Sequence, residues 1–339
     1  MTTKAIFEKK NILVTGGAGF IGSHLCDELV KTSKVICIDN FISGEEENID
    51  HLLQNPNFVF IRHDINELIN LEELPELEKF RIEFQGVQEI YHLACPTSPK
   101  DFEETRVDTV LTNSVGTRNI LELAVKYKSK FLLTSSSVIY GSRNPNDPFF
   151  KEDYFGFVDP IGPRACYDEG KRFSETLTST YRDMHNLDAK IVRLFRTYGP
   201  RMKLHSGQMI PDFVYSALED NDLVIYGDES FSSSFCHVKD IVNGLIKMMK
   251  SGETGPINLG GDLDYKIVDI AKKIIKATES KSKIVFEKPL LFMTPLGLPD
   301  ITLAKEKLGW FPIILLEEGV DSSIDYFRAH KSILHPTQE

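Results

Sequence analysis

The stretch that most restricts this chain is Ile12–Leu25, ILVTGGAGFIGSHL. An apolar run stops at glycines spaced G-x-x-G-x-x-G (Gly16, Gly19, Gly22), and a helical pattern begins at once. Strand, tight turn and helix in that order aim backbone N–H groups from the positive end of a helix, a place suited to a pyrophosphate. Glycine is needed because a β-carbon would obstruct the turn, the approach of the phosphates, or the packing of helix on strand. By itself the triplet is equally compatible with a glycine-rich turn that binds nothing.

The second apolar strand, VICID, narrows the choice because it closes on Asp39. In a nucleotide-binding βαβ unit an acid at this place accepts hydrogen bonds from the adenosine ribose hydroxyls. Its charge repels a 2′-phosphate, and Glu45, Glu46 and Glu47 come soon after with no arginine among them. The expected cofactor is therefore NAD rather than NADP, met by Gly16, Gly19, Phe20, Ile21, Gly22, Asp39 and Asn40.

Further along, strands and helices keep alternating. Asn57–Ile65 is expected to be a third strand that brings Asp64 and Ile65 to an adenine edge. Glu89–Cys95 is expected to be a fourth, with Leu93 and Ala94 at its end, and Lys130–Ser136 a fifth. Between them, 66–86 carries Pro75 and reads as broken helix and loop, while 101–127 has helical spacing. The pattern predicts an α/β fold: a Rossmann-like doubly wound parallel sheet with right-handed crossovers and ligands beyond the carboxyl ends of its strands.

From about Arg201 shorter elements take over. We expect a helix starting near Pro211, a strand at Leu223–Gly227, a helix in Cys236–Met249 capped near Asp240, and a strand at Pro256–Gly261. An amphipathic helix is expected at Val268–Thr278, then a packed terminus around Trp310. The division expected is a cofactor lobe, 10–200 with a return segment 232–260, and a smaller C-terminal α/β substrate lobe, 201–231 with 261–330.

Charge and cysteine usage exclude other classes. Thirty-nine Lys and Arg against 50 Asp and Glu leave a net charge of −11, which argues against nucleic acid and against a basic membrane-binding face. Neither a signal peptide nor a membrane-spanning run is apparent. Cys26, Cys37, Cys95, Cys166 and Cys236 form no C-x-x-C pair and read as reduced thiols of a cytoplasmic protein. No histidine spacing suggests a metal site.

The chemistry-bearing pair is Tyr167 and Lys171 in CYDEGKRFSETL. Four residues apart on a helix they share a face, and an ammonium beside a phenol favours the phenolate. Such a base can take a proton from a sugar hydroxyl while hydride leaves for a nicotinamide. A lone Y-x-x-x-K is more often a solvated surface pair. Here a nucleotide fold precedes it, and a serine-rich strand end offers Ser136 as a second hydroxyl.

Together these motifs resemble the extended short-chain dehydrogenase/reductases of nucleotide-sugar metabolism. HLACPTSP (92–99), PIGPRACYDEGKR (160–172), TYGPRM (197–202) and PDITLAKEKLGWFP (299–312) resemble the UDP-glucuronate decarboxylase branch, over about residues 10–330. The resemblance implies Tyr167 as catalytic base, Lys171 on the nicotinamide ribose and Ser136 as partner hydroxyl. It also implies Pro96, Ser137 and Tyr226 as substrate contacts, a UDP-sugar substrate oxidised at C4, and a homodimer through helices near 101–127 and 164–185.

The sequence departs from that branch at four places. Val138 stands where it carries a glutamate, Ser233 and Leu298 stand where it carries phosphate-facing arginines, and Arg196 replaces an asparagine. We therefore expect Val138 to pack against the sugar. Arg196, Arg201 and Lys203 are expected to supply a replacement cationic clamp, and the sugar to be an uncharged hexose or N-acetylhexosamine. Should C5 chemistry follow, Cys95, Cys166, Lys203 or His205 would have to carry the proton. The reaction expected is epimerisation or C5/C6 modification through a transient C4 ketone. The alternatives are UDP-glucuronate decarboxylation to UDP-xylose and a non-catalytic nucleotide-sugar binder.

Overall fold

The computed structural model describes residues 9–98, 102–144, 146–288 and 295–330. Its centre is a parallel sheet built from β1 (Asn11–Thr15), β2 (Lys34–Asp39), β3 (Phe58–Arg62), β4 (Glu89–His92), β5 (Lys130–Ser136), β6 (Ala189–Leu194) and, after the separate strand β7 (Leu223–Tyr226), β8 (Ile257–Leu259). Its order is β8-β6-β5-β4-β1-β2-β3, and every pairing is parallel. Successive side chains of a strand point to opposite faces. Accordingly Ile12, Val14, Val35 and Cys37 join one apolar cluster, and Leu13, Ile36 and Ile38 the other. Both faces are buried, as a parallel sheet with crossover helices requires.

The helices are α1 (Phe20–Leu29), α2 (Phe102–Leu111), α3 (Thr117–Tyr127), α4 (Ala165–His185), α5 (Met209–Leu218), α6 (Val238–Lys250), α7 (Ile267–Thr278), α8 (Thr302–Leu308) and α9 (Leu316–Ala329). One face of the sheet is covered by α1 and α6, the other by α3. A third core forms where α5, α7 and α9 meet β7, which pairs in parallel with β9 (Ile284–Glu287). Among the described residues no helix is long and apolar enough to cross a membrane.

Boundaries differ from expectation where side chains, rather than periodicity, end an element. The helix expected over 101–127 is split by a π-helical turn at Thr112–Gly116. A β-carbon on Gly116 would come 2.8 Å from the Ile65 side chain, so this turn packs against the loop that follows β3. The cap expected at Asp240 is supplied by His237, whose ring nitrogen accepts the Lys239 N–H at 3.3 Å. Asp240 instead accepts the Ile313 and Ile314 N–H groups, and its carbonyl accepts the indole N–H of buried Trp310 at 2.9 Å.

Candidate active site

Strand order reverses between β1 and β4, and a crevice opens there beyond the carboxyl ends of the strands. It is a cavity of about 350 Å³. Gly16 has φ +71°, and a β-carbon on it would lie 2.7 Å from the Ala94 nitrogen. A β-carbon on Gly22 would strike the Gly16 carbonyl oxygen. Helix α1 can therefore approach the loop closely only with glycine at both positions. Asp39 Oδ2 accepts the Ala18 N–H at 3.0 Å and Oδ1 the Phe41 N–H at 2.9 Å. Burial raises its pKa, and these donors pull it back down. Each carboxylate oxygen can accept a further donor, as ribose hydroxyls would provide. An arginine does stand beside Asp39, since Arg62 is its register partner on β3. Its guanidinium, however, sits 5.7 Å from the Phe41 ring centroid, and Arg62 is not among the cavity-lining residues.

The remaining expected cofactor residues, Gly19, Phe20, Ile21, Asn40, Asp64, Ile65, Leu93 and Ala94, all line this cavity. Asp64 accepts the Asn66 N–H at 2.9 Å, and Asn119 holds the Ile65 carbonyl at 2.9 Å, which sets the loop after β3. Glycine turn, ribose-facing acid and a hydroxyl-lined far end together fit NAD. When bound, NAD supplies the hydride acceptor at its nicotinamide.

At the far end, β5 delivers Ser136 and α4 delivers Tyr167 and Lys171, both on its buried side. The Tyr167 hydroxyl is hydrogen-bonded to Ser136. Lys171 Nζ donates to the Thr134 carbonyl at 3.0 Å and lies 6.0 Å from the Tyr167 ring centroid. The expectation that Lys171 dominates the phenol's acidity needs correction. Burial is the largest influence and pushes the Tyr167 pKa up; Cys95 adds to this, while Ser136 and Arg164 oppose it. A buried phenol loses solvation of its charged form, and this outweighs the nearby donors.

Of the expected substrate contacts, Pro96, Ser137, Val138, Arg196 and Arg201 line the cavity. Val138 packs with Tyr167, Cys95, Cys166 and Leu296. Tyr226 and Ser233 are not among the lining residues: Tyr226 pairs with Glu287, and buried Ser233 pairs with Tyr265 and donates to the Ser234 carbonyl. Leu298, also buried, pairs with Phe149 and lies outside the lining. Cys95 and Lys203 reach the cavity; Cys166 and His205 are not among its lining residues. Arg201 is drawn into an ion pair with Asp27 at 2.9 Å.

One lining residue was passed over in the sequence. Arg164 directly precedes α4, donates to Asp168 at 3.2 Å, and its charge acts on Tyr167. The available signal was its position, one helical turn before the catalytic tyrosine.

Comparison with known proteins agrees with this geometry. UDP-glucuronic acid decarboxylase 4 of Arabidopsis thaliana is 43% identical over 318 residues, 94% of this chain and 68% of that protein. UDP-glucuronic acid decarboxylase 1 of Xenopus tropicalis is 39% identical over 95% of this chain and 73% of its own length. The UDP-glucuronic acid 4-epimerase of Bacillus cereus, solved with UDP-glucuronic acid and NAD, superposes with a TM-score of 0.81 at 29% identity, covering 94% of this chain and 99% of that one. The UDP-glucose 4-epimerase of Thermotoga maritima, solved with UDP-glucose, gives 0.80 at 29% identity with the same coverage. The model of the NAD dependent epimerase/dehydratase family matches residues 12–260, and the chain is an NAD-dependent member of that family of nucleotide-sugar enzymes.

Proposed function

We propose that the enzyme oxidises C4 of a UDP-linked hexose, lets the ketone present its other face, and returns the hydride, so that the net reaction is C4 epimerisation. The observation that carries this is the Tyr167–Ser136 hydrogen bond at the end of a cavity whose neighbouring Val138 has no exchangeable proton. Tyr167 takes the C4 hydroxyl proton, Ser136 holds the same oxygen, and Lys171 orients the nicotinamide ribose and favours the phenolate. Residues 10–200 with 232–260 form the cofactor lobe in this reading, and 201–231 with 261–330 grip the uridine. Ser233 and Leu298 lie outside the cavity, so their lack of charge is no longer a ground for an uncharged sugar.

Decarboxylation is the second reading, favoured by the names of the 39–43% identical relatives. A homodimer through α2 and α4 belongs to the same proposal, since Val107, Val110, Leu111, Phe173 and Met184 leave apolar surface exposed there. Free thiols at all five cysteines fit a cytoplasmic site of action. The test is incubation with a panel of UDP-sugars in deuterated water, with products read by NMR. Inversion at C4 without solvent deuterium is expected. Release of carbon dioxide would replace epimerisation by decarboxylation, deuterium at C5 would require a further acid/base group, and no conversion of any UDP-sugar would refute the reading.

A further inference from the structure

Arg196 is the one charged group of the site whose counterion is missing among the described residues. It lines the cavity, its Nε is buried without a hydrogen-bond partner, and it makes no ion pair there. Its guanidinium lies 5.8 Å from the Phe235 ring centroid. The neighbouring cations are satisfied differently: Arg201 by Asp27 at 2.9 Å, and Arg164 in part by Asp168 at 3.2 Å. Burial and the charge of Arg164 lower the Arg196 pKa to about 10, which still leaves it cationic at neutral pH. Holding a desolvated guanidinium next to a second one is unfavourable unless an anion enters between or beside them.

The sheet says which end of the ligand that anion belongs to. Ser136 on β5 is the register partner of Leu194 on β6. Two residues further, the two chains leave the sheet side by side, which brings Arg196 to the level of Val138. Arg164 acts electrostatically on both Tyr167 and Arg196. Arg196 thus sits where C4 must lie to meet Tyr167. On a hexose, C6 hangs from C5, the direct neighbour of C4, whereas the phosphate is attached across the ring at C1. The carboxylates lining the cavity, Asp39, Glu45 and Asp64, belong to the cofactor end.

We propose that Arg196, flanked by Arg164, is the residue that selects sugar charge: a receptor for a C6 carboxylate, making the preferred substrate a nucleotide-linked uronate. This rests on the UDP-sugar reading above. A guanidinium and a carboxylate can form two parallel charge-assisted hydrogen bonds, which fixes the C5 substituent while the C4 ketone turns. The arrangement differs from the clamp expected from sequence, in which Arg196 joined Arg201 on the diphosphate.

The test is calorimetric binding of UDP, UDP-glucose and UDP-glucuronate to NAD-loaded Tyr167→Phe protein, with and without Arg196→Gln. Without turnover, affinity is read directly. UDP-glucuronate is expected to bind the parent more tightly than UDP-glucose, and Arg196→Gln to weaken it by about tenfold or more. UDP and UDP-glucose should change by no more than about twofold. Arg196→Lys, which keeps the charge but not the fork, should fall between and serves if the Gln variant does not fold. Equal weakening of all three ligands would overturn the inference by assigning Arg196 to the diphosphate. No change for any would make it structural. Failure of all three to bind the parent would overturn the UDP-sugar reading, and the inference with it.

Discussion

Replacing Lys171 by methionine separates two roles that the geometry allows it. The ammonium is buried, anchored on the Thr134 carbonyl at 3.0 Å, and 6.0 Å from the Tyr167 ring centroid. At an effective dielectric of about 20, unit charges about 6 Å apart interact by roughly 2.8 kcal/mol, equivalent to about two pH units for the phenol. Tyr167 already stands above its ordinary value because it is buried, so this contribution sets whether any phenolate forms near neutrality. Lys171→Met should move the rising limb of the pH–rate profile up by about two units. At fixed near-neutral pH, reduction of bound NAD should slow about 100-fold, with recovery as pH rises. The assay is stopped-flow nicotinamide absorbance after mixing with UDP-sugar, at saturating NAD and across pH. A rate lowered by the same factor at every pH would refute the electrostatic argument and leave Lys171 only the ribose. An unchanged profile would remove it from the chemistry.

Close packing and burial set the outcome of two other perturbations. Gly22→Ala puts a methyl group against the Gly16 carbonyl, so the purified variant should lose its NAD, measured as nucleotide released on denaturation; full retention would contradict the close-approach argument. His92 and His237 are buried, with pKa values lowered to about 3 and about 4, mainly by burial, then by Lys171 and Lys239 respectively. Their unfolded forms take up protons near pH 6.5 and the folded forms do not. Their stabilising effect is therefore complete above pH 6.5 and is lost as pH falls toward the folded values. Between pH 7 and 5 each should lower stability by about 2 kcal/mol in urea titrations. His92→Gln should remove about 2 kcal/mol of that pH difference, and an undiminished difference would sink the assignment.

Much of this molecule could be read before any coordinates. The glycine triplet, Asp39, the alternating apolar strands and the Tyr167–Lys171 spacing are local patterns. Backbone sterics and side-chain periodicity give each of them one structural meaning over a few residues. Lys130–Ser136 was bounded correctly from its sequence because burial on both faces leaves an uninterrupted apolar run.

Charge partnership was not legible in the same way. Nothing near Arg201 in the sequence announces Asp27, nothing near Asp39 announces Arg62, and only folding withdraws Ser233 and Leu298 from the cavity. Nor could sequence reveal that burial, more than Lys171, governs Tyr167, or that Arg196 lacks a counterion among the described residues. An ionic interaction depends on separations of a few ångströms and on how much water remains between the groups. Residues far apart in the chain set both quantities, so the sequence determined the fold and the cofactor while the tertiary structure decided where the unmatched charge lies.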